Sequence, residues 1–145
     1  MGSLDTTATG KHALVYGASG ITGWAIVNQI LNGFPAENTF DKVTALTNRP
    51  LSPETAQWPS SQKLQVVSGL NLLDGDQATL EKTMKDRVSQ IETVTHVYFF
   101  AYIMDPDPEK EISINIDLLK RAIEAVEHLG NKLEWVVLPT GTKVC

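Results

Sequence analysis

His12-Ala13-Leu14-Val15-Tyr16 runs directly into Gly17-Ala18-Ser19-Gly20-Ile21-Thr22-Gly23, and the fold is decided by how this stretch is read. The apolar run is too short for a helix and suits a strand buried on both faces. From Ile21 the period changes. Ile21, Ala25, Ile26 and Ile30 fall on one helical face, and Asn32-Gly33 closes the helix. The glycines between strand and helix answer three separate demands. Gly17 permits the tight turn, Gly20 lets a pyrophosphate approach the backbone, and Gly23 lets the helix pack close to the sheet. Ala18, Ser19 and Ile21 complete a turn whose amides, at the positive end of the helix dipole, can hold phosphate charge.

Outward from this junction, strand and helix patterns alternate. Lys42 to Leu46 and Lys63 to Val67 read as the second and third strands. Between them Asn48 to Ser61 carries Pro50, Pro53 and Pro59 and reads as a surface loop long enough for a crossover. Leu80, Met84, Val88 and Ile91 are spaced for a helix after the Asp74-Gly75-Asp76 turn, and Thr95 to Ala101 is a fourth strand. Pro106-Asp107-Pro108 opens a long helix with an expected buried stripe of Ile112, Ile116, Leu119, Ile123 and Val126, ended by Gly130. Leu133 to Leu138 is a fifth strand. Strands apolar on both faces, alternating with helices, predict an α/β class: a Rossmann-like, doubly wound parallel sheet of about five strands.

The chain has 145 residues, 42% hydrophobic and 20% charged, which suits one soluble domain. Its net charge of −5 argues against a nucleic-acid or anionic-membrane surface. No apolar run approaches the ~20 residues of a membrane span. A single cysteine, Cys145, cannot close an internal disulfide, so a cytoplasmic setting is expected. Residues 1–10 read as a flexible leader, although Gly2 and Thr6 formally fit a myristoylation pattern, and 11–145 as the nucleotide-binding domain. At the end of the second strand, Thr47-Asn48-Arg49-Pro50 contains no carboxylate to bind a ribose 2′-hydroxyl, and Arg49 suits a 2′-phosphate. NADP is therefore the expected cofactor.

Several of these segments together resemble a known family. Gly17 to Gly23, Asn48-Arg49-Pro50, Thr95-His96-Val97, Ile114-Asn115 and Leu138-Pro139-Thr140-Gly141-Thr142-Lys143 are similar to progesterone 5-beta-reductase and iridoid synthase. These form a branch of the extended short-chain dehydrogenases/reductases that reduces activated C=C bonds with NADPH. The resemblance implies pyrophosphate contacts from the backbone of Ser19, Gly20 and Ile21, and 2′-phosphate and adenine contacts from Asn48 and Arg49. It places Asn71 and Leu72 near the adenine, where the family often has an acid, and Ala101 and Tyr102 beside the nicotinamide ribose. Lys143 matches the active-site lysine, preceded by Thr140, and Asn115 matches an asparagine with a proton-relay or helix-shaping role. The family's tyrosine partner lies beyond the lysine, and no tyrosine follows Tyr102 here. The later strands and the substrate lobe are likewise expected to be absent. Fungal relatives of this kind often serve secondary metabolism.

The remaining signals are less specific. His12, His96 and His128 lack metal-ligand spacing, so no metal site is expected; His96 reads as a satisfied core residue and His128 as a complement to a helix end. Asp105, Asp107, Glu109 and Glu111 read as a loop and a carboxylate-rich helix start. Trp24, Trp58 and Trp135 share no stripe; Trp135 is expected to pack in the last strand and Trp58 to cover an open pocket. The fifth strand would be an exposed apolar edge, which predicts a homodimer through that strand and the last helix. The functional expectation is reduction of an enone or activated alkene as the small-molecule substrate. A non-redox isomerase or cyclase reusing the pocket, and a non-catalytic nucleotide- or partner-binding module, are the alternatives.

Overall fold

The structure is a computed structural model that describes residues 9–140. Five parallel strands lie in the order β3-β2-β1-β4-β5. They are β1 (His12–Tyr16), β2 (Lys42–Leu46), β3 (Leu64–Val67), β4 (His96–Phe99) and β5 (Trp135–Val137). The helices are α1 (Ile21–Leu31), α2 (Pro53–Ala56), α3 (Gln77–Arg87) and α4 (Pro108–Leu129), with a 3₁₀ turn at Ile91–Thr93. β1 is central, pairing with β2 in the register His12 to Lys42 and with β4 in the register Ala13 to His96.

Alternation along β1 divides the core into two layers. Leu14 and Tyr16 join Leu80 and Met84 of α3 and Leu118, Ala122 and Val126 of α4 on one face. Ala13 and Val15 join Val27 and Ile30 of α1, with Ala56 and Trp58, on the other. All of β1 is buried because both its faces are covered, the physical reason its sequence is a continuous apolar run. Tyr16 satisfies its hydroxyl inside this layer by donating to the Ala122 carbonyl at 2.9 Å. His12 is bonded at both ring nitrogens, to Thr93 at 3.0 Å and Thr44 at 2.8 Å.

The helical faces share Ile30 and Val126 with the expected ones and are otherwise rotated from them. On α1 the buried residues are Gly23, Val27 and Ile30, whereas Ile21 is 92% exposed. Gly23 lies so close to the glycine turn that a Cβ there would overlap the Gly17 carbonyl oxygen, and this contact sets the rotation of the helix. On α4 the buried stripe is Leu118, Ala122, Ala125 and Val126; Ile112 and Ile116 are exposed. Small residues let α4 lie close to the sheet; Leu119 and Ile123 of the expected stripe pack against the core partly buried, as does Ile114. α3 ends at Arg87, before Val88 and Ile91, which are nevertheless buried in the segment that follows.

The proline-rich connection contains α2, capped by Ser52, whose side chain accepts from the Thr55 amide. Trp58 is buried there rather than covering a pocket. Its indole donates to the Trp24 carbonyl at 3.2 Å, while the Trp24 indole donates to the Ala56 carbonyl at 2.7 Å. The two tryptophans thus tie α1 to the β2–β3 crossover, an association their sequence separation concealed. Trp135 does not pack in the core: it is 64% exposed on the outer strand. At the other end, Asp41 accepts from the Thr9 and Gly10 amides at 2.9 and 2.7 Å, holding the last two residues of the expected leader. Gly2 and Thr6 lie outside the described residues.

Candidate functional site

The chain leaves β1 toward β2 through α1, and reaches β4 on the opposite side of β1 by a crossover through α3. The ends of β1 and β4 therefore bound the crevice where an open α/β sheet places its ligand. Gly17 sits at this point with φ +76°, and a Cβ on it would lie 2.6 Å from the Phe100 carbonyl carbon. Only glycine meets both the left-handed backbone and the close approach. Its amide and that of Ala18 donate to the Leu46 carbonyl at 3.0 and 3.2 Å, which fastens the turn to the end of β2. Gly20 begins α1 and supplies no side-chain cap. The first-turn amides are thus left for an acceptor from outside the helix, the arrangement that suits a phosphate.

A cleft of about 350 Å³ opens over this turn. The expected residues Gly17, Ser19, Gly20, Thr47, Asn48, Arg49, Asn71, Leu72, Ala101 and Tyr102 all line it. Ala18 is buried behind the turn, Gly23 packs under it, and Ile21 lies exposed at the helix start. Thr140 is exposed beyond β5, away from the cleft lining, and Lys143 lies outside the described residues.

Thr47 does more than its place in a motif suggested. Buried, it donates its hydroxyl to Ser19 Oγ at 2.9 Å and accepts from the Arg49 amide at 3.2 Å. It thereby couples the glycine turn to the loop that carries Asn48 and Arg49. Among the described residues Arg49 is the one charged side chain in the cleft lining, and no carboxylate lines it. Asn71 folds back to accept from the Leu73 amide at 3.0 Å, an Asx-type turn that shapes the far wall.

The opposite wall is the segment between β4 and α4. Asn115 does not point into the cleft: its Oδ1 accepts from the Ile103 amide at 2.9 Å and its Nδ2 donates to the Ile103 carbonyl at 2.8 Å. Glu111, one turn earlier on α4, accepts from the Asp105 amide at 3.0 Å and from the Tyr102 hydroxyl. That bond to Glu111 raises the Tyr102 pKa above its ordinary value. Sequence reasoning had placed Glu111 only in an acidic helix start. The signal that could have found it is its i, i+4 spacing to Asn115.

The histidines take no part in the cleft. Burial, with Lys42 nearby, lowers the His12 pKa to about 4, so its imidazole is neutral at pH 7. Burial also lowers that of His96, whose ring meets Phe40 edge-on and whose Nδ1 bonds Thr95 at 2.8 Å. His128 pairs with Glu81 at 2.7 Å across α4 and α3, and that bond raises its pKa. Among the described residues no cluster of His, Cys, Asp and Glu could hold a metal, and no helix is long and apolar enough to cross a membrane.

Strand order, switch point and glycine turn define the class, a Rossmann-fold domain with a dinucleotide-type cleft. The sequence matches the PRISE-like Rossmann-fold domain over residues 13–145, and the chain belongs to that family. It is 35% identical over 136 residues to the short chain dehydrogenase ausT of Aspergillus calidoustus, covering 91% of this chain and 33% of that protein. It is 36% identical over 138 residues to the short chain dehydrogenase sirR of Leptosphaeria maculans, covering 92% and 33%. The chain thus spans about a third of the length of these relatives. Among solved structures, a short-chain dehydrogenase/reductase from Burkholderia vietnamiensis superposes with a TM-score of 0.58 at 17% identity, over 90% of this chain and 62% of that one. Uronate dehydrogenase from Agrobacterium tumefaciens does so with 0.53 at 18%, over 81% and 36%. These two likenesses concern the fold.

Proposed function

We propose that this chain forms the NADP(H)-binding part of a short-chain-type reductase acting on an enone or related activated alkene, as the progesterone 5-beta-reductase and iridoid synthase branch does. The observation that carries this reading is the glycine turn at the sheet's switch point, opening onto a cleft in which Arg49 is the one charged lining side chain among the described residues. In it, the amides of Ser19, Gly20 and Ile21 hold the pyrophosphate, and Asn48 and Arg49 receive the 2′-phosphate. Asn71 and Leu72 flank the adenine, and Ala101 and Tyr102 the nicotinamide ribose. A nicotinamide held there would supply hydride chemistry, and the resemblance assigns the orienting of its ribose to Lys143. The names of the relatives, short chain dehydrogenase, support dehydrogenase-type chemistry; secondary metabolism in the cytoplasm is the setting proposed for it.

Titration with NADPH and with NADH tests the reading. Tighter binding of NADPH by about tenfold or more, a preference lost in Arg49→Ala, is the expected result. Failure of both nucleotides to bind, or a preference for NADH, removes it. The non-redox alternative is separated by incubating substrate without nucleotide, since turnover under that condition is incompatible with a reductase.

We also propose a homodimer through β5 and α4. Trp135, Val136, Val137 and Leu138 are 41–64% exposed, and no charge or proline interrupts the run. Such an edge favours pairing with another chain. Sedimentation at micromolar concentration tests this, and a clean monomer overturns it.

A further inference from the structure

The two ends of the cleft are held in different ways. At the end bounded by β2 and β3, the wall rests on buried residues: Thr47, Leu46, Leu70 and Leu72 are each 5% exposed or less. At the end bounded by β4, the wall is the irregular segment leading into α4. There Tyr102 is 61% exposed, Ile103 38% and Met104 83%. Apolar packing is too sparse to define the position of this segment. Its polar groups are instead taken by two side chains one turn apart on α4. Asn115 engages Ile103 at both amide and carbonyl, and Glu111 engages the Asp105 amide and the Tyr102 hydroxyl.

This segment is also a partition. Phe100, Ala101 and Tyr102 line the dinucleotide cleft on one side and a mostly apolar pocket of about 350 Å³ on the other. Ile112, Ile116 and Leu138 are among the residues that line that second pocket. The position of the Tyr102 ring therefore sets where one cavity stops and the other begins.

We infer that Glu111 is a positioning residue for the nicotinamide end of the cleft: through Tyr102 and Asp105 it holds the wall against which the nicotinamide ribose rests. The inference rests on the dinucleotide reading above. It adds a residue that contacts neither nucleotide nor substrate and acts through Tyr102. The adenosine end, built on a different pair of strands, does not depend on it.

The test compares NADPH with 2′,5′-ADP, which carries the adenosine 2′-phosphate but no nicotinamide, in titrations of the full chain. Glu111→Ala is expected to weaken NADPH about five- to tenfold while leaving 2′,5′-ADP unchanged within about twofold. Glu111→Gln, which keeps an acceptor, restores part of the loss. Tyr102→Phe, which keeps the ring and removes the bond to Glu111, gives the same selective weakening without disturbing α4. Unchanged NADPH affinity in Glu111→Ala and Tyr102→Phe overturns the inference, as does equal weakening of both ligands, which marks general damage to the fold. If the unaltered chain binds neither ligand, it is the dinucleotide reading itself that fails.

Discussion

β1 and β5 belong to one parallel sheet and are both dominated by apolar residues. In β1, Ala13, Leu14, Val15 and Tyr16 are fully buried, whereas in β5 Trp135 is 64% exposed and Val136 and Val137 are 42% and 41%. The contrast follows from their neighbours. β1 has a strand on each side and helices on both faces, and β5 pairs with β4 alone among the described residues. Burying a valine-sized side chain contributes about 1.5–3 kcal/mol, so β1 is deep in the stability of the fold and β5 contributes little to it until something covers it. An apolar strand shows that burial is favoured there, without showing what performs it.

The largest way to break this comparison is at Gly17, where β1 ends. Gly17→Ala imposes both a left-handed backbone and a clash with Phe100, and is expected to cost about 3–5 kcal/mol, read as a fall in the urea midpoint. Gly20→Ala is its counterpart in open space, where the nearest non-neighbouring atom to a new Cβ is the Gly17 carbonyl oxygen at 3.5 Å. It should change stability by less than about 1 kcal/mol yet weaken NADPH, since the lost room belongs to the ligand.

A second test uses pH. The unfolded chain protonates His12 near its ordinary value of 6.5, the folded chain only at about 4. Below pH 6.5 the unfolded state therefore binds the extra proton. Stability at the base of β1 should fall as pH drops from 6.5 to 4, by about 3 kcal/mol in all, and then level off. His12→Gln should flatten that window in urea titrations at successive pH values. Nothing comparable is expected for the exposed His128, whose pKa is shifted upward by Glu81.

Two smaller effects sharpen the contrast. Tyr16→Phe deletes the bond that ties β1 to the Ala122 carbonyl of α4 and should cost about 1–2 kcal/mol in thermal melts. Val136→Lys on β5 should cost less than about 1 kcal/mol and disperse the proposed dimer in sedimentation, while Val15→Lys prevents folding. A large loss of stability in Val136→Lys without any dimer would show that β5 is covered within its own chain.

The expected strands were found with small changes in their ends, and β2 has the bounds its sequence suggested, Lys42–Leu46. Ten of the fourteen expected cofactor contacts line one cleft, because glycine spacing and strand ends are local signals that the sheet then gathers. Helix rotation was less legible. Ile21 and Ile112 satisfy an apolar period as well as Val27 and Leu118 do, and only packing selects between them. Gly23 against Gly17 makes that selection for α1, and Ala122 and Ala125 make it for α4. Glu111 does stand in the acidic first turn of α4, but its bonds to Tyr102 and Asp105, like the burial of Trp58, were not legible for a related reason: each side chain acts on a residue brought to it by the fold.

By itself the sequence determined a parallel α/β sheet, a glycine turn placed to receive a dinucleotide, and the absence of an acid after β2. Periodicity, glycine spacing and local charge specify these within a few turns of chain. Only the tertiary structure decided that β1 is central, that Trp24 and Trp58 lock the first crossover, and that α4 holds the cleft's outer wall through Glu111 and Asn115. Each of those depends on segments distant in the chain meeting at a definite distance and angle, which no local pattern encodes.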